Sequence, residues 1–382
     1  MKIYEVTWFK EFSCLCGACP QSCCRGWVIP LSDSDCDRFR KEKGILGIEL
    51  FLATGGWTDA KFNKGSGSCP FHNREGLCRL QRKKGHDYIP WTCQSYPRFY
   101  RNYGEFEERC LDLSCIGAAG LFIKNKGNLE TVISEDDPQT RRCTTNDDRE
   151  YLDFLIRQRS EMIDITKSVF SEDHNRENIT RTRECGCLAD ILFSYAAHLQ
   201  DHFAKGEDVS IQQLSFCEYY DEMIRDDPNK IYAFPLPPEV LGRFLDSSLN
   251  HTRLRRVSPY LFRMFIKANN ILGKYGKSRA LWDKKVNSFL NVHPQVLSLL
   301  GSYLSYYLYQ YYLRTYETYS FRRQVALGLI HMNMILFLAI AKEEESRISE
   351  ETMAEVIAVY NRRAYFNDDI QDEMYRIFES SR

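Results

Sequence analysis

Residues 12–27 read Phe-Ser-Cys-Leu-Cys-Gly-Ala-Cys-Pro-Gln-Ser-Cys-Cys-Arg-Gly-Trp, placing Cys14, Cys16, Cys19, Cys23 and Cys24 within eleven positions. Single thiols follow at Cys69, Cys78, Cys93, Cys110 and Cys115. A disulfide framework belongs to short secreted domains that lack room for a large core. This chain has 382 residues and an odd number of cysteines, 15. Its opening, Met-Lys-Ile-Tyr-Glu-Val-Thr-Trp-Phe-Lys-Glu-Phe, has neither an apolar h-region nor a small-residue cleavage site, so no signal peptide is expected. Inert burial suits the isolated Cys36, Cys143 and Cys217, since a lone thiol behaves as a small hydrophobe. It does not suit five thiols in one short run. Metal ligation does, because thiolate is a soft donor that selects zinc, copper(I) or iron–sulfur clusters. Gly17 and Gly26 ease the wrapping of a loop around such a centre.

Zinc favours two Cys-x2-Cys knuckles far apart in sequence, and only Cys16 and Cys19 make that spacing here. Irregular single donors from several loops fit an iron–sulfur cluster better than a zinc ribbon, with zinc as the alternative. Cys16, Cys19 and Cys23 run Cys-x2-Cys-x3-Cys, the reverse of the usual radical-SAM order, so that superfamily is not assigned. Adjacent Cys23 and Cys24 are expected to point apart along the chain.

The ordered frame Phe12, Cys14, Cys19, Cys23, Cys24, Gly26, Trp27 continues through Cys69-Pro70-Phe71 and Gly76-Leu77-Cys78-x-Leu80. It ends in Thr92-Cys93-x-x-Tyr96-Pro97-Arg98 and Leu113-Ser114-Cys115-x-x-Ala118-Ala119. This frame resembles the flagellin lysine-N-methylases, strongly over about the first third of the chain. A wider group of small iron- or zinc-chelating proteins shares the eight-cysteine pattern, which therefore speaks for metal binding more directly than for methyl transfer. The resemblance implies metal ligation by Cys14, Cys19, Cys23, Cys24, Cys69, Cys78, Cys93 and Cys115, leaving Cys16 and Cys110 outside the frame. It also implies a [4Fe–4S] cluster, S-adenosylmethionine as methyl donor and flagellin lysine amines as substrate. At Ile116-Gly117 the chain departs from the Pro-Glu of the family pattern.

Within the frame, Tyr96 and Arg98 are the candidate catalytic side chains. Tyr96 would act as a base or hydrogen-bond acceptor beside Cys93. Arg98 would hold a carboxylate, or balance thiolate charge, through its planar fork. Trp91 and Tyr96 would wall the centre or simply pack over it. The glycine-rich residues 52–68 lack the strand–Gly-x-Gly-x-x-Gly–helix setting of a nucleotide loop and read as a turn. His86, between Lys84 and Asp87, reads as a surface residue.

A net charge of −1 argues against a strong electrostatic draw to nucleic acid. The expected architecture is mainly α, with an irregular cysteine-rich metal-binding domain at 1–133, a polar linker at 134–150 and an all-helical domain at 151–382. Ser32 or Asp33 caps a short helix through Cys36, Phe39 and Arg40. Cys187, Leu188, Ile191, Leu192, Tyr195 and Leu199 mark another helix, with Cys185 and Cys187 packing rather than ligating. His198 and His202 share one helical face without a third ligand. A proline-rich connection covers 226–240, and helices resume at Glu239. The tyrosine-rich stretch 303–320 could line a groove for a protein substrate, but reads as core with hydroxyls reaching the surface. The apolar run Val325–Ala341 is shorter than the ~20 residues that span a bilayer and reads as a buried helix. A cytoplasmic location, flagellin as partner and no membrane span are the resulting expectations. The alternative function is a metal-binding or electron-transfer module, with iron–sulfur or zinc, lacking transfer chemistry of its own.

Overall fold

The computed structural model describes residues 1–25, 28–62, 67–139, 148–171, 178–205, 211–224, 234–249, 259–344, 347–364 and 368–382. Gly26, Trp27, Cys143, and parts of the glycine-rich turn, of the 134–150 stretch and of the proline-rich connection lie outside these residues.

The strands among the described residues are β1 (Lys2–Val6), β2 (Ile29–Pro30), β3 (Lys61–Phe62), β4 (Arg98–Asn102), β5 (Phe106–Leu111) and β6 (Thr131–Glu135). Four of them form one mixed sheet in the order β4-β5-β1-β6. β1 runs parallel to β5, with Ile3 opposite Glu107, and antiparallel to β6, with Tyr4 opposite Ile133. β4 and β5 are antiparallel neighbours, with Arg98 opposite Leu111. Parallel neighbours need a long crossover between them. Here the crossover after β1 carries nearly all the cysteines of the frame. The sheet is a difference from the expected irregular N-terminal region. Its strands are five or six residues long, and β1 finds β5 and β6 only about a hundred residues or more away, so no local signal marks that pairing, whereas β4 and β5 form a short hairpin across residues 103–105.

A small core fills the crossover. Ile29, Leu31, Phe39, Leu50, Phe62, Phe71 and Leu80 are buried together, with Cys24, Cys78 and Cys93 packed against them. The helix Asp33–Arg40 starts as expected. Ser32 accepts from the Asp35 amide at 3.1 Å, while Asp35 accepts from the Ser32 amide at 3.0 Å, a reciprocal capping box. Cys36 is buried in this core, as the packing reading required.

Beyond residue 148 every regular element among the described residues is helical, and the chain is mostly helix. The large core joins these helices to the sheet. Trp8 and Phe12 pack with Leu111 and Phe122 and with the helices Arg149–Phe170, Pro294–Tyr311 and Phe321–Glu343. Tyrosines 303, 306, 307, 309, 311 and 312 are all buried, so the stripe is core. The Tyr306 hydroxyl donates to the Leu111 carbonyl at 2.7 Å and accepts from the Leu111 amide at 2.9 Å, fastening the end of β5. Phe321–Glu343 is long and apolar enough to cross a membrane, but its apolar window is entirely buried inside the protein. Cys185 sits buried within the helix Asn178–Lys205. On the same helix His198 stacks on Tyr195 and Tyr219, at 6.3 and 5.9 Å between centroids.

Candidate functional site

Three loops and the end of one distant helix meet on the cysteines. The first loop follows β1 and the short 3₁₀ turn Phe9–Glu11. Its backbone turns tightly at Cys16–Ala18, where the Cys19 amide donates to the Cys16 carbonyl at 3.1 Å. The Cys16 amide donates to Cys14 Sγ at 3.3 Å, and the neighbouring Cys14 thiol pushes the Cys16 pKa up. Cys23 and Cys24 differ from the expectation that they diverge: their thiols are hydrogen-bonded to each other. That contact, with burial, raises the Cys23 pKa well above the usual thiol range.

The second loop runs from Ser68 to Cys78. The Cys69 amide donates to the Cys24 carbonyl at 2.7 Å, and Arg25 bridges to Ser68. Gly17 lies against Glu75: a Cβ added at Gly17 would stand 3.2 Å from the Glu75 carbonyl oxygen, so the first two loops touch backbone to backbone. Cys78 caps the helix Arg79–Lys84, its sulfur accepting from the Gln81 amide at 3.5 Å. Cys69 is buried, and Cys93 sits on the short helix Trp91–Ser95 against the small core.

The third loop leaves β5. Asp112 turns it: Oδ1 accepts from the Ser114 amide at 2.8 Å and the Asp112 carbonyl accepts from the Cys115 amide at 3.2 Å. Burial raises the Asp112 carboxyl pKa, against the pull of these amides and of Arg362. Cys115 precedes the helix Ile116–Lys124. Burial pushes its thiol up to about 11, although the Gly117 and Ala118 amides at that helix start favour the thiolate. Cys19 of the first loop lies close enough to raise Cys115 further. A Cβ on Gly117 would meet the Phe12 ring at 3.4 Å and Leu15 at 3.9 Å, so the residue in place of the family glutamate has the first loop directly over it.

Tyr96 and Arg98 both lie at the seam of the first and third loops. The Tyr96 hydroxyl shares a 3.0 Å hydrogen bond with Ser114 Oγ, and burial holds its pKa well above the ordinary tyrosine value. It is therefore a neutral hydroxyl at physiological pH. Arg98 opens β4, donates to the Phe12 carbonyl at 3.5 Å and lies over the Phe9 and Phe12 rings at 5.9 and 5.4 Å. Trp91 stacks on Tyr100 at 6.5 Å rather than facing the thiols alone. His86 is exposed.

Arg362 was not anticipated. It stands near the end of the helix Glu350–Ala364. Its guanidinium donates to the Ser22 carbonyl at 3.2 Å and to the Ser114 carbonyl at 3.2 and 3.4 Å. Each carbonyl belongs to the residue just before a frame cysteine, Cys23 or Cys115. The positive charge lowers the pKa of Cys23, Cys115, Tyr96 and Asp112 alike. Arg362 falls in an ordinary Tyr-Asn-Arg-Arg-Ala helix end, which carries no local mark of such a role.

The thiols gather as neighbours: Cys14 with Cys16, Cys16 within reach of Cys23, Cys23 with Cys24, and Cys19 with Cys115. Among the described residues no group of three or more His, Cys, Asp or Glu side chains stands close enough to hold a metal ion. The donor chemistry suits a soft metal, but no closed coordination sphere is formed among the described residues.

Over 121 residues, 30% of this chain, the sequence is 28% identical to the flagellar biosynthetic protein FliU of Salmonella muenchen and covers 72% of that protein. It is 29% identical over 121 residues to the lysine-N-methylase of Salmonella choleraesuis strain SC-B67. The corresponding identity to the lysine-N-methylase of Salmonella typhimurium is 28%. Over this stretch the chain is similar to the two lysine-N-methylases and to the flagellar protein. It spans 30% of the length of each of those two methylases. No protein-family profile matches the sequence, and no solved structure is significantly similar to it.

Proposed function

We propose that this chain is a protein-lysine N-methyltransferase that takes methyl groups from S-adenosylmethionine and places them on flagellin lysines. The observation that carries the reading is the seam at Ser22–Cys23, Ser114–Cys115 and Arg362. It unites cysteine loops, a neutral tyrosine hydroxyl and a cation in a chain similar to the lysine methylases. A lysine amine must be neutral before its lone pair can attack a methyl sulfonium. Burial and a nearby positive charge both disfavour the ammonium form. The Arg362 guanidinium and the half-buried loops supply both conditions for an amine entering the seam. Tyr96, neutral and paired with Ser114, is suited to accept a hydrogen bond from that amine and orient it. Arg98, held at the same seam on Phe12, is suited to hold a carboxylate of the donor.

About four of the eight frame cysteines would hold a [4Fe–4S] cluster, or zinc in its place, and participation of all eight would imply a second site. When bound, such a centre supplies fixed charge or an electron-transfer group beside the amine. Because no three donors yet surround one point among the described residues, the loops would have to close on the metal. No step of the transfer is assigned to it.

The deciding measurement is incorporation of labelled methyl groups into flagellin by anaerobically purified protein, with iron and sulfide counted in the same sample. Incorporation that disappears in Cys23→Ser supports the reading. A protein that carries metal and leaves flagellin unlabelled would instead be a metal-binding module.

A further inference from the structure

The helix Glu350–Ala364 packs against the helix Ile116–Lys124. The start of the former, at Ser349, Glu350 and Met353, shares a cavity with the end of the latter, at Ile123 and Lys126. The two helices are therefore antiparallel, and the last turn of one faces the first turn of the other. That places Arg362 beside Ser114, one residue before Cys115. Immediately before Arg362 the helix is fixed from below. The Tyr303 hydroxyl donates to Asn361 Oδ1 at 2.8 Å, and the Tyr360 hydroxyl meets His331 Nδ1 at 2.9 Å. Both pairs are buried in the large core. Arg362 is thus a cation on a rigid base, and its planar fork spans two carbonyls that belong to different loops.

We propose that Arg362 is a positioning residue that locks the first and third cysteine loops in register, so that the cysteine centre is complete only while the helix Glu350–Ala364 is docked. This rests on the reading of these loops as the functional centre. The geometry has a specific consequence. The Arg362 guanidinium bridges the carbonyls of Ser22 and Ser114, whereas the second loop is tied to the first through the Cys69 amide and the Cys24 carbonyl. Arg362 adds a two-carbonyl clamp to a seam where Phe12 and Leu15 already lie over Gly117. A charged donor on two carbonyls also leaves a positive field at Cys23 and Cys115, the sign that a thiolate-bound centre needs beside it.

The test uses the full-length protein and the variants Arg362→Gln and Arg362→Lys. Hydrogen exchange is first read on metal-free samples. In Arg362→Gln the amides of Cys19, Arg25, Ser114 and Cys115 should exchange faster by about tenfold or more, with Arg362→Lys between the two, while amides in Pro294–Tyr311 and Phe321–Glu343 are unchanged. The same samples are then reconstituted with iron and sulfide, and metal retention against a chelator is followed by absorption. Arg362→Gln should lose bound iron faster than wild type, and Arg362→Lys should restore part of the retention. Unchanged exchange at the loop amides in Arg362→Gln overturns the proposal. So does acceleration spread evenly over the helices. A wild type that takes up no metal would remove the metal reading of the cysteines, while the exchange comparison would still decide whether Arg362 locks the loops.

Discussion

Arg362 donates to the carbonyl of Ser22 at 3.2 Å across 340 residues of chain. The cysteine loops and the C-terminal helical part are therefore one structural unit at this point. The contact also makes the site's integrity a property of the whole chain.

Cys23→Ser and Cys115→Ser should each lower bound metal and flagellin methylation by at least about tenfold, because each removes a donor at the seam. Cys217→Ser should leave both unchanged, since Cys217 is exposed and outside the frame. Metal analysis and methyl incorporation on the same preparations check this. Equal loss in all three variants would count against a specific thiol centre.

Arg159 donates to both carboxylate oxygens of Glu108, at 2.9 and 2.5 Å, and to the Tyr309 carbonyl at 2.9 Å. Both side chains are over nine-tenths buried. Arg159→Met strands a buried carboxylate and should cost about 3–5 kcal/mol of stability. The double variant Arg159→Met/Glu108→Met should recover most of that loss. Urea denaturation distinguishes the two, and a double variant as unstable as the single one would refute the argument.

Gly301 marks where the helices Pro294–Tyr311 and Arg149–Phe170 come closest. A Cβ there would stand 2.1 Å from Phe170 Cβ, an atom fixed to its own backbone. Gly301→Ala should destabilise by about 1–3 kcal/mol despite alanine's better helix propensity. Gly273, also helical, has nothing within 4 Å of the added carbon. Gly273→Ala should stabilise by roughly 0.5–1 kcal/mol. Thermal melts of the pair give the opposite signs directly.

His331 is buried beside Tyr360 and Tyr307, and burial, aided by Arg323, lowers its pKa from 6.5 to about 3. The unfolded chain then binds a proton that the folded chain refuses between these values. Folding stability should therefore be complete above about 6.5 and fall as pH drops toward 3, by an amount on the order of a few kcal/mol. His331→Gln should flatten the slope between pH 6.5 and 5, a window chosen above most carboxylate titrations. An unaltered slope in that variant would mean that His331 does not titrate as its burial requires.

Several features were legible because they are local. The capping box at Ser32 is written within four residues, and the cysteine run within eleven. The buried helix around Val325–Ala341 announces itself by unbroken apolarity. The tyrosine stripe at 303–312 is core because aromatic area at that density needs to be covered. The four-stranded sheet was not legible, since β1 finds β5 only after a crossover of about a hundred residues and each strand alone is too short to show a period.

Sequence alone determined that thiols from several loops are the chain's most unusual chemical resource and that a largely helical body accompanies them. Tertiary structure decided which thiols become neighbours and that Arg362 joins Ser22 to Ser114. The physical reason is range. Spacing and periodicity report on groups that share a few turns of chain, whereas a side chain's hydrogen-bond partners across hundreds of residues are set by how the helices pack beneath it.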